Sequence, residues 1–346
     1  MIYLLDLWGY LKTVNKPIVL YGTGNGADKI LNRLKNDNVN ISGVFSSTGF
    51  KKGKMFAGFP VVSYEEIYKK LSDMIILVGF GSNRPEVLDN IKNLMERHEV
   101  YVPDVPVYGD EIFDLSFARQ HKNEIETAYS LLEDDISRDT YKKIIMFKLT
   151  GDPSLLFNCE KDIQETYSLL NLDDNETFMD LGAYTGDTVE LFLNNVNNYS
   201  KIIAIEPDAR NYRKLCENTK NYESCYCINA AISDKNGKIL ISNQHGRGVN
   251  GDKGKILINA LTVDYVSQKH PPSFIKIDVE GSEAIAINGG KKTICNLLPK
   301  LHIAAYHTSF DIFSIPLMIK KINAEYKIYL RHHTYLPAWD TNYIFI

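Results

Sequence analysis

Twice in this chain an apolar run of strand length breaks at a glycine-rich turn and continues as a helical pattern. That unit admits few architectures. The first copy is Pro17-Ile18-Val19-Leu20-Tyr21 followed by Gly22-Thr23-Gly24-Asn25-Gly26-Ala27. The second is Thr177-Phe178-Met179-Asp180-Leu181 followed by Gly182-Ala183-Tyr184-Thr185-Gly186-Asp187. Helix-like stretches follow at Ala27–Asn36 and Thr188–Asn195. A buried strand turning at glycine into an amphipathic helix is half of a βαβ unit, so each copy predicts an α/β sheet covered by helices. The 346 residues are enough for two domains of ordinary size, one for each turn.

Between the two units, Asp110–Thr150 is charged, has helical spacing at Ile125, Tyr129, Leu132, Ile144 and Phe147, and contains no glycine. It reads as a helical connector and not as a loose linker. The expected division is 1–109 for the first α/β domain, 110–154 for the connector and 155–346 for the second domain. Within the latter, strands are expected at Lys201–Glu206, Cys225–Ala230, Ser273–Asp278, Lys300–Tyr306, Tyr326–Arg331 and Tyr343–Ile346. Helices are expected at Ala209–Lys220, Ser282–Asn288 and Ser314–Ile322, with Pro207 as the first residue of its helix. Lys238–Ser242 and Lys255–Ile258 read as a hairpin around a polar loop, Asn243–Lys253.

Charge excludes some partners. Thirty-nine Lys and Arg against 43 Asp and Glu leave a net charge of −4, which gives no global grip on nucleic acid or anionic lipid. The five cysteines form neither an even framework nor a Cys-x-x-Cys pair, as expected of reduced thiols in the cytoplasm. The apolar start Met1–Trp8 lacks a basic lead and is interrupted by Asp6, so a packing element is expected there and not a signal peptide. No apolar run reaches the ~18 residues of a membrane span.

The second turn carries more chemistry than the first. Asp180 precedes it and Asp187 opens the following helix, and two carboxylates beside a diphosphate are unfavourable. S-adenosylmethionine has no phosphate and presents a sulfonium and an ammonium, which these acids suit. The next strand ends at Glu206-Pro207, 24 positions after Gly182, where an acid can accept the two ribose hydroxyls of a nucleoside.

Four segments together resemble the FkbM-type methyltransferases: Asp180–Asp187, Ile205-Glu206-Pro207-Asp208, Asn229-Ala-Ala-Ile-Ser-Asp234 and Phe274-Ile-Lys-Ile-Asp-Val-Glu-Gly-Ser-Glu283. The likeness continues through Ala305-Tyr306-His307 and Tyr329–His333 and covers about residues 155–346. It implies a class I, Rossmann-like domain with a seven-stranded sheet whose last strand is antiparallel. It also implies S-adenosylmethionine as cofactor, held by Asp180, Gly182, Ala183, Tyr184, Gly186 and Asp187 around the turn. Glu206 would take the ribose, and Asn229, Ala230 and Ala231 would border the adenine. Tyr184 departs from the broader Asp-x-Gly-x-Gly-x-Gly pattern at the middle glycine.

Ligands of parallel sheets bind at the carboxyl ends of the strands. Asp278 and Glu280 end the fourth strand there and His307 the fifth, and these three are the candidates to take an acceptor proton. His332 and His333 end the sixth strand. His302, mid-strand on the opposite face from His307, is expected to be a satisfied core histidine, and Glu283 to favour a helix N-terminus. Asp278, Glu280, His307 and His332 have metal-donor atoms, but no tight spacing supports an ion and no metal is assigned.

In the first unit, Gly22-x-Gly24-x-x-Ala27 fits a dinucleotide turn, yet the next strand ends in Phe45-Ser46-Ser47 with no acid for a ribose. Gly43-Val44-Phe45, Gly58-Phe59-Pro60-Val61 and Ile75–Gly79 are similar to the N-terminal domain of bacterial sugar-acetyltransferases that act on nucleotide sugars, over about residues 16–95. The expected function is S-adenosylmethionine-dependent O-methylation of a sugar or glycan precursor, with a small-molecule or nucleotide-sugar substrate, no nucleic acid and no membrane span. Homo-oligomerisation is left open. The alternatives are an NAD-dependent sugar oxidoreductase and a non-catalytic nucleotide-binding scaffold.

Overall fold

The computed structural model describes residues 5–47, 54–242 and 255–346. Met1–Leu4 and the Asn243–Lys253 loop of the sequence reading lie outside them; the helix nearest the amino terminus is Leu7–Leu11.

The first sheet is built from β1 (Ile18–Tyr21), β2 (Gly43–Phe45), β3 (Met55–Phe56), β4 (Phe59–Val62), β5 (Ile75–Val78) and β6 (Glu99–Tyr101), in the order β3-β4-β2-β1-β5-β6. All neighbours are parallel except β3 and β4. Full burial on both faces explains why β1 and β5 read as unbroken apolar runs.

The second part contributes β7 (Thr177–Leu181), β8 (Lys201–Ile205) and β9 (Cys225–Ile228). A three-stranded sheet of β10 (Ala231–Ile232), β11 (Gly237–Ser242) and β12 (Lys255–Leu261) follows. The chain then returns through β13 (Phe274–Ile277), β14 (Lys300–Ala304), β15 (Ile328–His332) and β16 (Thr341–Phe345). The main sheet has seven strands in the order β15-β16-β14-β13-β7-β8-β9, and β16 is antiparallel to both its neighbours. This is the sheet the resemblance implied. Its chain path reverses between β7 and β13, which opens a crevice at their carboxyl ends.

Helix Ala209–Thr219 begins two residues after Pro207, because Asp208 accepts N–H bonds from Arg210 (2.9 Å) and Asn211 (2.8 Å) and so caps it. The connector is helical, at Leu115–Gln120, Lys122–Ser130 and Asp135–Thr150, and Gly151 closes the last of these in the left-handed region. It is not a bridge through solvent. Strand alternation sends Val19, Tyr21, Ile76 and Val78 into the same hydrophobic cluster as Phe113 and Phe147 of the connector and Ile277 and Ile303 of the second sheet. The buried pair Lys148–Asp104 (2.9 Å) ties the long connector helix to the segment after β6. On the other side, Arg331 of β15 is buried and reaches Asp134 Oδ2 (2.6 Å) and Glu165 Oε1 (2.6 Å). No helix among the described residues is long and apolar enough to cross a membrane.

Candidate active site

Gly182 leaves β7 with φ +86°, and a Cβ there would lie 1.9 Å from the Asp278 carbonyl oxygen. Only glycine lets the turn pass this close to the end of β13. The Gly182 and Ala183 N–H groups both donate to Ile205 O (3.0 Å each), locking the turn onto β8. Ala183 itself packs its methyl into the core behind the turn. Tyr184 holds φ +45° at the position where the broader pattern has glycine, and its side chain is exposed. Gly186, at φ +95°, starts helix Asp187–Leu193, and Asp187 is exposed at its first position.

Glu206 sits just beyond β8. Its Oε2 accepts the Tyr184 N–H (2.9 Å) and its Oε1 the Asp208 N–H (2.9 Å). Burial raises its pKa, although these two N–H groups oppose the shift. Asn229 donates Nδ2 to the carbonyls of Glu206 (2.8 Å) and Pro207 (3.1 Å), so it braces the acid's backbone. Ala230 and Ala231 are buried, Ala231 as the first residue of β10.

Register explains the electrostatics. Lys276 lies opposite Asp180 on β7 and opposite His302 on β14, so the three side chains form a polar row on one face of the sheet. Asp180 is fully buried, and neither carboxylate oxygen has a hydrogen-bond partner among the described residues. Lys276 Nζ stands 3.8 Å from its Oδ1. Burial, only partly offset by Lys276, pushes the Asp180 pKa up to about 6. His302 departs from expectation. It is buried and its Nε2 has no partner among the described residues, so it is not satisfied. Burial and the nearby His333 and Lys276 drive its pKa down to about 3, so it is neutral.

Asp278, His307 and Glu280 do come together. His307 Nε2 lies 3.5 Å from Asp278 Oδ1 and 3.6 Å from Glu280 Oε2. Burial opposes charge on Asp278, but Lys276 Nζ, 3.4 Å from its Oδ2, and His307 hold the carboxyl below its ordinary range. His307 is buried, which disfavours its cation. Contact with Glu283 and the charges of Asp278 and Glu280 win, and its pKa rises to about 9. Glu280 is exposed on a left-handed residue (φ +54°). His332 is elsewhere: fully buried on the edge strand β15, paired through Nδ1 with Thr341 Oγ1 (3.0 Å) and held neutral by burial.

Sequence reasoning missed three groups here. Glu283 is buried beside His307 and not at a solvated helix end. Lys276 was legible in principle, as the one charge in an apolar strand, two residues from Asp278 on the same face. Tyr108, which packs on Gly281 and donates its N–H to His307 O (2.8 Å), comes from the far side of the connector boundary and left no signal. Asp278, Glu283 and His307 each bring a donor atom within 4.8 Å of the others, close enough for a small cation. In this arrangement the protonated imidazole supplies the positive charge.

The first glycine turn is built differently. A Cβ on Gly22 would meet Phe80 at 2.6 Å, so Phe80 fills the space over the turn. Gly26 and Gly79 allow helix Asn25–Asn36 to lie against the strand end, since a Cβ on Gly26 would come 2.9 Å from Gly79 O. Helix packing and an aromatic plug account for these glycines.

The sheet order, the antiparallel final insertion and the acid-flanked turn at the switch point define a class I methyltransferase fold. Residues 180–336 match the family model described as Methyltransferase FkbM domain, and residues 14–100 match one described as C2185-like, N-terminal. Over residues 180–336 the chain is similar to the FkbM methyltransferases, and the protein is a methyltransferase. Among solved structures, methyltransferase FkbM from Methylobacillus flagellatus KT is 23% identical, with a TM-score of 0.71 over 96% of this chain and 90% of that one. A precorrin-6y C5,15-methyltransferase from Geobacter metallireducens GS-15 is 13% identical over 53% of this chain and 84% of that one, with a TM-score of 0.34. Aeropyrum pernix fibrillarin, in complex with natively bound S-adenosyl-L-methionine, is 12% identical over 53% and 73%, also at 0.34. No curated protein matches the chain.

Proposed function

We propose that this methyltransferase uses S-adenosylmethionine as its donor and methylates a hydroxyl of a sugar or glycan precursor. Asp180 carries the donor assignment. A fully buried carboxylate without a hydrogen-bond donor, at the crevice of the sheet, fits an ammonium group. Asp187, Glu206 and Asp278 add negative charge around it, opposed at close range by Lys276 and, beside Asp278, by His307. That collar suits a ligand bearing a sulfonium and an ammonium, and repels a diphosphate. Glu206, aimed by two backbone N–H groups, keeps lone pairs for the two hydroxyls of a ribose.

The donor, when bound, supplies an electrophilic methyl group on a sulfonium. The rest is the work of this chain. Displacement at methyl is in-line, so the largest contribution is holding the acceptor oxygen in attack geometry in a cleft. As its bond to the methyl carbon forms and the sulfur leaves as a neutral thioether, the attacking oxygen becomes strongly acidic, so even a carboxylate with a depressed pKa can take its proton. Asp278 has that character and lies beside the turn. His307, its pKa raised by Glu283, Asp278 and Glu280, acts there as a cation and hydrogen-bond donor and not as a free base. Exposed Glu280, Tyr108 and Tyr184 at the rim support the sugar reading, because carboxylates bind hydroxyls and aromatic rings cover the C–H face of a pyranose.

Calorimetry with S-adenosylhomocysteine tests the donor site. Glu206→Ala removes charge-assisted hydrogen bonds worth about 1.5–3 kcal/mol each, so affinity should fall more than about tenfold. An unchanged dissociation constant in a folded variant sinks the assignment. Incubation with S-adenosylmethionine and a set of nucleotide sugars, read by mass spectrometry for one added methyl, tests the acceptor class. Binding of the donor with no methylated sugar in the set would move the acceptor to another class.

A further inference from the structure

We propose that Glu283 is a positioning residue, which holds the His307 ring from its Nδ1 side so that the Nε2 edge is presented to Asp278 and the acceptor. The proposal rests on the reading of the Asp278–His307 region as the place of reaction. Glu283 is 1% exposed, although it sits in the first turn of helix Glu283–Gly289, where an acid that merely complements the helix end would be solvated. Its Oε1 lies 3.0 Å from His307 Nδ1, an ion-pair contact off the line of a hydrogen bond, so the carboxylate acts on the ring through charge. The same oxygen accepts the Val279 N–H (2.9 Å) and the Gly281 N–H (3.4 Å). Those two amides flank Glu280, and Glu280 and Gly281 are consecutive left-handed residues, at φ +54° and +91°. One carboxylate therefore ties the loop that carries Asp278 and Glu280 to the ring those two acids face.

The backbone of His307 is fixed from the other side. Its carbonyl accepts the Tyr108 N–H, and Ser309 Oγ donates to Glu111 O (2.6 Å). Lys29 in turn donates to the carbonyls of Pro106 (2.7 Å) and Gly109 (3.0 Å), so the segment bearing Tyr108 is itself anchored. The groups facing the imidazole are Asp278, Glu280 and Glu283 from the β13 loop and its helix. Tyr306, whose ring centroid is 4.2 Å away, and Asp311 on the following helix complete the set. Among the described residues, Glu283 is the one acid ion-paired with Nδ1. A carboxylate in contact with one imidazole nitrogen favours the charged ring on that side and leaves the other nitrogen facing Asp278.

The test is a pH titration of histidine ring nitrogens by NMR in full-length protein labelled with ¹⁵N-histidine, with His307 assigned by its loss in His307→Gln. In the wild type, His307 should titrate well above an ordinary histidine and keep a proton on Nδ1. In Glu283→Gln its midpoint should fall by at least about one pH unit, and Glu283→Asp should restore part of the shift. Affinity for S-adenosylhomocysteine should stay within about threefold in both. If Glu283→Gln lowers the melting temperature but leaves the His307 midpoint in place, Glu283 is only structural and the proposal fails. Should Glu283→Gln not fold, Glu283→Asp decides by the same midpoint. Micromolar Mn²⁺ broadening the His307 signals in the wild type would also overturn the proposal, by making the trio a cation site. A wild type that binds no S-adenosylhomocysteine would instead sink the functional reading underneath it.

Discussion

Asp180 is a carboxylate that the free protein holds at a disadvantage. Its pKa is raised above the unfolded value to about 6, so its folded form binds a proton more tightly. Stability from this group is therefore present at low pH and lost as pH rises through about 6. Asp180→Asn should raise the melting temperature of the ligand-free protein at pH 8, since a neutral amide there is less costly to desolvate than an ionised carboxylate. The same variant should bind S-adenosylhomocysteine more than about tenfold weaker. Calorimetry and thermal melts on one preparation check both, and a variant that is less stable yet binds equally well contradicts the assignment. His307 has the same sign in a higher window. Its pKa rises from about 6.5 to about 9, so its contribution is complete below pH 6.5 and disappears as pH rises through about 9. Melting temperatures measured from pH 7 to 10 should fall more steeply for the wild type than for His307→Gln.

A glycine in a turn matters for what lies next to it. Gly182 and Gly58 both sit at positive φ, +86° and +82°, but only Gly182 has a neighbour within 4 Å of its missing Cβ, the Asp278 carbonyl. Gly58→Ala should cost only the backbone strain of an L-residue there, about 1–2 kcal/mol. Gly182→Ala adds overpacking between β7 and β13, bringing the loss to on the order of 3 kcal/mol, and should displace Asp278 as well. Urea midpoints measure the two costs, and equal losses would show that the close approach does not matter. The two glycine turns make the same point at the level of the strand–turn–helix unit. They look alike in sequence, yet one is plugged by Phe80 and the other opens on an acidic crevice.

The two sheets and the connector share one hydrophobic cluster, so they should not unfold separately. Intrinsic tryptophan fluorescence samples the first part through Trp8 and the interface through Trp339, whose ring covers Gly81. Its urea transition should coincide with that of far-ultraviolet circular dichroism. Two separated transitions would contradict the common core. The buried Lys148–Asp104 pair supplies a second check. Asp104→Ala leaves an ammonium buried without its carboxylate and Lys148→Met leaves the carboxylate without its ammonium, and each should cost about 3–5 kcal/mol in urea denaturation.

Strand and helix positions in the second part were legible because buried strands and amphipathic helices repeat with fixed periods, and the strands found at Lys201–Ile205, Phe274–Ile277 and Lys300–Ala304 lie inside those expected. The seven-stranded sheet followed from the resemblance carried by Asp180–Asp187 and Asp278–Glu283. Composition and turn acidity are properties of the chain itself, so the choice of a cationic ligand over a diphosphate could be argued without a fold. Charge state could not. Whether His307 is neutral or protonated depends on Glu283, 24 residues away in sequence and 3.0 Å away in space. Whether Asp180 is satisfied depends on the register that sets Lys276 opposite it. Whether a glycine turn is open depends on a side chain such as Phe80, delivered by another strand. Local periodicity is written along the chain, whereas desolvation and pairing are set by which distant groups the sheet brings together, and only the tertiary structure decides those.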